Sequence, residues 1–365
     1  MREPEDAPRP RLTRRAIIVL VSVMVAAILV AVVGVGFAIT QAGRSVPTAS
    51  PAPEKTPTSA PTPTPEAADR PHVRFDVECA DLVPAESVTA LIGTSRVAPG
   101  PTDTLAELGV VEYIQVGAVR CDWAGAGYNH LSVILLPDAA EALTAYLPSL
   151  AMERTVTGHT AYVCDVSTTV AYCAVDALVD GTWVAASVYS ETPDGVASAF
   201  EQLAQSLTAG VPLPSDLRWT PPASPLTQEA MLQLEPQLIE ATFALPGAQP
   251  AATDMEGVAG EVYHRADASW LSWYDPTMTR SVALKVVPGA GWAAAELAAR
   301  PGATRVSMQN GADASVISVD QGGASLWRAC ARALDALVCV DTAEASGQSV
   351  VAQLDSLIAQ LPSEG

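Results

Sequence analysis

Cysteine is the residue type here whose spacing first suggests chemistry. Cys164 and Cys173 stand nine positions apart in "CDVSTTVAYC", and Cys330 and Cys339 repeat that interval in "CARALDALVC". Cys79 and Cys121 complete a set of six. The C-x8-C interval is too wide for the C-x2-4-C knuckle of a zinc ribbon. It is also too wide for a C-x-x-C redox centre with a lowered thiol pKa. An even number of cysteines in an exported segment favours disulfides, so no metal site is expected.

The remaining chemistry-bearing residues are dispersed. His72, His130, His159 and His264 form no H-x-H or H-E-x-x-H pattern, and no G-x-S-x-G, S-x-x-K or phosphate-loop signature occurs. No cofactor and no catalytic residue is expected. The 40 acids are spread evenly and read as a solvated surface; a carboxylate pair for cell-wall cleavage is the alternative they leave open. One aromatic cluster, "VYHRADASWLSWYD", suggests binding. Side chains alternate across a strand. With Trp273 inward, Trp270 and Tyr274 face outward as a candidate surface for a sugar ring or a partner side chain. Burial of that face by a helix or an inter-domain contact is the competing reading.

Net charge is −20 and only Lys55 and Lys285 represent lysine, so nucleic acid is excluded as a partner. Residues 16–40 are 25 consecutive uncharged, mostly apolar residues, enough to span a bilayer as one helix. Arg9, Arg11, Arg14 and Arg15 precede them, placing residues 1–15 in the cytoplasm and the rest outside. The run exceeds a signal-peptide core and no clear A-x-A site follows, so an uncleaved single-pass anchor is expected, with the bilayer as partner. Residues 41–74 are rich in Pro, Thr and Ser and read as a disordered, extended stalk.

The elements that must position the cysteines form a diverged repeat. "RCDWAGAGYNHLSVILLPDAAEALTAYL" matches "WLSWYDPTMTRSVALKVVPGAGWAAAEL", setting Trp123 on Trp273 and Pro137 on Pro288. A short helix opens each copy, near Pro84 and Thr227, and "TPDGVASAFEQLAQSL" and "SGQSVVAQLDSLIAQL" close them. Copy one spans 75–212 and copy two 213–365. Each is expected to be an α+β domain with helices packed on an antiparallel sheet. In this alignment Cys79 falls on Ala223 and Cys121 on Leu271, so copy two lacks both. A bridge lost in one copy loses both partners, which pairs Cys79–Cys121, Cys164–Cys173 and Cys330–Cys339. The last two are read as one hairpin staple shared by the copies. "ACARALDALVC" has helical propensity, but a helix would set its cysteines about 13.5 Å apart along the axis, whereas a disulfide tolerates Cα atoms ~7 Å apart at most.

"CADLVPAESVTALIG" followed by "RCDW" resembles a family of actinobacterial extracytoplasmic domains, often lipoproteins, of unknown function with a C-x-L-L…G…C-x-W pattern. The match covers about residues 76–125 and carries Cys79, Cys121 and Trp123; copy two departs from it by lacking both cysteines. The resemblance implies an outer-face location and transfers no catalytic residue. The expected function is a non-catalytic binding, sensing or scaffolding protein of the bacterial cell envelope, with another envelope protein or a cell-wall component as partner. The alternatives are a wall-modifying enzyme and a purely structural component.

Overall fold

The computed structural model of the protein describes residues 70–361, apart from 95–109, 228–230, 232–233, 235, 253–254, 278–279, 310, 322–323 and 344–345. The expected cytoplasmic tail, the anchor at 16–40 and the stalk up to residue 69 lie outside the described residues. Among the described residues no helix is long and apolar enough to cross a membrane. The described residues belong to one compact unit, Pro65–Gly365.

The unit is α+β with two antiparallel sheets. In copy one, α1 (Cys79–Leu82), α2 (Ala85–Ile92) and α3 (Val111–Gln115) precede β1 (Val119–Ala124) and β2 (His130–Leu136). Then come α4 (Ala140–Leu150), β3 (Thr155–Thr157), β4 (Thr160–Val166), β5 (Ala171–Val179), β6 (Thr182–Ser190) and α5 (Val196–Ala209). The order across this sheet is β1-β2-β6-β5-β4-β3. The described elements of copy two include α6 (Pro236–Phe243), β7 (Gln249–Ala252) and α7 (Gly257–Arg265). It continues with β8 (Ser269–Tyr274), β9 (Ser281–Val287), α8 (Ala293–Ala298), β10 (Thr304–Ser307), β11 (Asp313–Gln321), β12 (Ala324–Ala333), β13 (Ala336–Thr342) and α9 (Gly347–Ile358). Its order is β10-β11-β12-β13-β9-β8-β7. Read from the other edge, it repeats copy one strand for strand and adds β7.

Alternation along each strand separates two faces. The inner face of copy one, with Val133, Val175, Val184 and Trp123, packs on Val88, Leu91, Phe200 and Leu203 of α2 and α5. Copy two repeats this with Trp273, Val282, Val338 and Val340 against Phe243, Val350 and Leu354. These helices bury an apolar stripe at helical spacing, as their sequences require. The helix α2 begins directly after Pro84, as expected. Residues 70–74, assigned to the stalk by composition, belong to the folded unit: Pro71 and Arg74 are buried. Arg74 also exchanges hydrogen bonds with Ser215 on the inter-copy linker.

The three disulfides join Cys79 to Cys121, Cys164 to Cys173 and Cys330 to Cys339. "ACARALDALVC" is a hairpin rather than a helix, and its cysteines face each other across β12 and β13 with Cα atoms 4.1 Å apart. The idea of one shared staple is corrected, however. Cys164 and Cys173 tie β4 to β5, whereas Cys330 and Cys339 tie the counterparts of β5 and β6. Aligning the turns closed by Val179↔Thr182 and Ala333↔Ala336 sets Cys330 on Asp176 and Cys339 on Ala185. Cys164 and Cys173 then fall on Ser318 and Trp327, which also face each other. The two staples also lie on opposite sheet faces, Cys173 in the helix-covered core and Cys330 with Cys339 on the outer face.

Candidate functional site

The outer faces of both sheets meet α3 and α7. Val111 and Ile114 of α3 pack with Val287, Leu337, Cys330 and Cys339 of copy two. Reciprocally, Val258 and Val262 of α7 pack with Ile134, Leu136 and Trp183 of copy one. The helices end on matching bonds: Gln115 donates to the Pro288 carbonyl at 2.6 Å, and its repeat partner Arg265 donates to the Pro137 carbonyl at 2.8 Å. Each copy therefore inserts a helix at the other's sheet, about an approximate two-fold relation.

One position breaks that relation. Glu112 of α3 lies 2.6 Å from Lys285 of β9, with 0% and 5% exposure. The equivalent positions are Val262 and Ile134, both in one apolar cluster. Burial lowers the Lys285 ammonium pKa, and the Glu112 charge works against that. The ammonium also sits 5.5 Å from the Tyr263 ring centre and 6.0 Å from that of Trp270, close enough for cation–π attraction. Burial pushes the Tyr263 hydroxyl well above its ordinary range, and Glu112 adds to this. Burial likewise pushes Tyr113 up to about 12, against the lowering effect of Arg120. Sequence reasoning passed over this group. A lone lysine in the apolar strand "SVALKVV" was the available signal, because a buried ammonium needs a carboxylate.

The structure also places the expected surface pair, Trp270 and Tyr274. Trp270 is half-buried and packs into the inter-copy cluster, the covering contact weighed above. Tyr274 is half-buried too, at the end of β8 opposite Gln249 and Ser281. All six cysteines are bonded and none is free. Among the described residues no group of three or more His, Cys, Asp or Glu side chains is placed to hold a metal.

A cleft of about 290 Å3 opens on the outer face of copy one. Tyr146, Tyr172, Arg154, Asp176, Ser187 and Glu256 line it, with the first turn of α7 at one side. Asp176 accepts bonds from Arg154 and from Trp183 Nε1. Burial raises its carboxyl pKa, and the Arg154 charge and the two bonds oppose that rise. Asp176 is thus held as part of the wall, whereas the Tyr172 ring is 44% exposed. Ala174 and Ser187, a facing pair in copy one, correspond to Arg328 and Asp341, whose side chains make two 2.6 Å bonds to each other. A crevice of about 10 Å3 lies beside Arg328 and Cys330.

No family model, curated protein or solved structure matches this chain. Small residues keep one face open, and a bidentate ion pair with a disulfide fills the other.

Proposed function

We propose that the protein is a non-catalytic binding protein of the bacterial cell envelope. In this reading residues 16–40 are an uncleaved single-pass anchor, residues 1–15 are cytoplasmic, and the Pro-rich stalk holds the folded unit outside the membrane. The complete pairing of six cysteines supports an oxidising compartment.

The observation that carries the reading is the cleft of copy one. Its volume is near the lower end of small-ligand sites. Tyr146 and Tyr172 offer ring faces, and Arg154, Ser187 and Glu256 offer hydrogen-bonding groups beside them. Rings flanked by polar groups suit a ligand with an apolar face and a hydroxylated or amide edge, such as a wall fragment or a peptide segment of an envelope protein. The engaged state of Asp176 favours binding over acid–base work.

The test is crosslinking in intact cells of the full chain beside the variant Ala174→Arg/Ser187→Asp, which installs the pair found in copy two. The expected result is an envelope protein or wall fragment captured by the parent and lost in the variant, with unchanged thermal stability. Equal capture by both would remove the cleft from the function. Turnover of wall polymer, abolished by Asp176→Asn, would establish the enzyme alternative instead.

A further inference from the structure

A second cleft, of about 330 Å3, lies where the first folded residues, the inter-copy linker and α7 come together. It is independent of the copy-one cleft and of the binding role proposed for that cleft. His72, Arg74, Asp138, Arg218, Trp219 and Arg265 are among its lining residues. Three guanidinium groups therefore converge in a chain whose net charge is −20.

The three arginines are organised around one residue. Arg74 Nη1 lies 2.7 Å and Arg218 Nη2 3.1 Å from Asp138 Oδ2. Arg265 donates to the Asp138 backbone carbonyl at 3.1 Å and to Glu261 at 2.7 Å. Two carboxylates, Asp138 and Glu261, thus face three guanidinium groups, and one positive charge is left over before His72 is counted. Arg74 is only 8% exposed and is fixed through Nε to the Ser215 carbonyl. Gly117 makes room for it: at φ +71°, a Cβ there would run into the Arg74 side chain. Arg218, by contrast, is 73% exposed with one nitrogen committed to Asp138, so it is free to reorient toward a ligand. The Asp138 carboxyl is held below its usual range, first by the Arg74 hydrogen bond. It adopts φ 54°, a left-handed conformation that favours glycine, and its repeat counterpart is Gly289.

We infer that this cleft is an oxyanion site, built for a phosphate-type group, in which Asp138 holds the guanidinium groups in place while the site is empty. Planar guanidinium forks match the oxygens of phosphate in pairs. An arriving phosphate shares Arg74 and Arg218 with Asp138 or takes them from it. Trp219 in the wall supplies a fluorescence signal for occupancy.

The experiment uses the full chain in non-ionic detergent, titrated with inorganic phosphate at constant ionic strength set by chloride. Trp fluorescence and the thermal midpoint are read together. A saturable rise in midpoint is expected. Arg218→Ala should weaken phosphate binding about tenfold, the worth of one charge-assisted hydrogen bond, without moving the phosphate-free midpoint. Asp138→Gly suits the backbone and removes the internal competitor, so it should tighten binding, whereas a purely structural ion pair would lose stability with no gain in affinity. Short-chain phosphatidylglycerol below its micelle concentration is the second arm. Displacement of phosphate by it assigns the site to a lipid headgroup, and failure to displace assigns it to a free phosphate group; either result upholds the site. No saturable response, or one identical in parent, Arg218→Ala and Asp138→Gly, overturns it.

Discussion

Copy one and copy two agree in the apolar packing of each sheet on its own helices, two disulfides of copy one apart, and disagree on the face that each sheet turns toward the other copy's helix. On the inner faces Trp123 answers Trp273 and Val133 answers Leu284. On the outer faces the positions of Asp176 and Ala185 become Cys330 and Cys339, those of Ala174 and Ser187 become Arg328 and Asp341, and those of Ile134 and Val262 become Lys285 and Glu112. The inner face specifies the fold and stays largely apolar through exchanges that alter volume, Cys121 for Leu271 and Cys173 for Trp327 among them. The outer face is an interface, and it admits any pairing that satisfies its polar groups. An ion pair, a bidentate salt bridge, a disulfide and an open cleft are four such solutions.

The largest effect is expected at the ion pair. Glu112→Ala or Lys285→Ala leaves one charge buried without its partner and should cost about 3–5 kcal/mol. The double change Glu112→Val/Lys285→Ile copies the apolar pair found at the related position. Exchange of a buried ion pair for packed apolar residues is often neutral or stabilising by ~1–4 kcal/mol, so the double variant should match or exceed the parent in urea denaturation. If it is as unstable as the single variants, the approximate two-fold relation does not describe this interface.

The staples come next. Closing a ten-residue loop is worth about 2.7 kcal/mol in the chain-entropy account, the same for both short bridges. Their surroundings differ. Cys330 and Cys339 are 3% and 1% exposed in the inter-copy cluster, whereas Cys164 is half-buried. Cys330→Ala/Cys339→Ala should therefore destabilise more than Cys164→Ala/Cys173→Ala, because it removes packing from the interface as well. Mild reduction followed by peptide mapping should open Cys164–Cys173 first. The reverse order would place the Cys330 bridge at an accessible surface and contradict the assignment of faces.

The staples also show where the sequence stops being legible. The α+β class, both antiparallel sheets and the Trp123–Trp273 alignment follow from periodicity. The hairpin at Cys330 follows from the length of a disulfide. The non-equivalence of the short bridges does not follow. Any hairpin pairs residues symmetrically about its turn, so a nine-residue interval fits β4–β5 and β12–β13 equally well. Spacing reports the distance from the turn and says nothing of which hairpin or which face. Tryptophan had a similar ambiguity: alternation sent Trp270 away from the core correctly, but helix α3, in the same cluster, comes from chain far away in sequence. The cleft of copy one was illegible for a related reason. Ala174 and Ser187 are conspicuous only beside Arg328 and Asp341, and that match requires the register.

The smallest effect expected is in acid. Asp122 on the outer face of copy one corresponds to Ser272, and Asp176 to Cys330, so neither carboxylate has a counterpart in copy two. Burial alone would raise the Asp122 pKa, but the neighbouring His130 and Ser132 and the charge and 2.6 Å hydrogen bond of Arg120 leave it lowered. A depressed folded pKa means that the unfolded chain binds the proton first. The stability this group contributes is present above the ordinary value of about 3.9 and is lost as pH falls through the depressed folded value. Asp176 has the opposite sign: its pKa is raised, so its contribution is present below the ordinary value and is lost as pH rises through the folded value. Asp122→Ser, which copies Ser272, should lower the urea midpoint at neutral pH and flatten its fall in acid. Asp176→Asn should leave a steeper acid fall than the parent shows. If both variants change the acid slope in the same direction, the two carboxylates are not in the opposed environments that separate copy one from copy two.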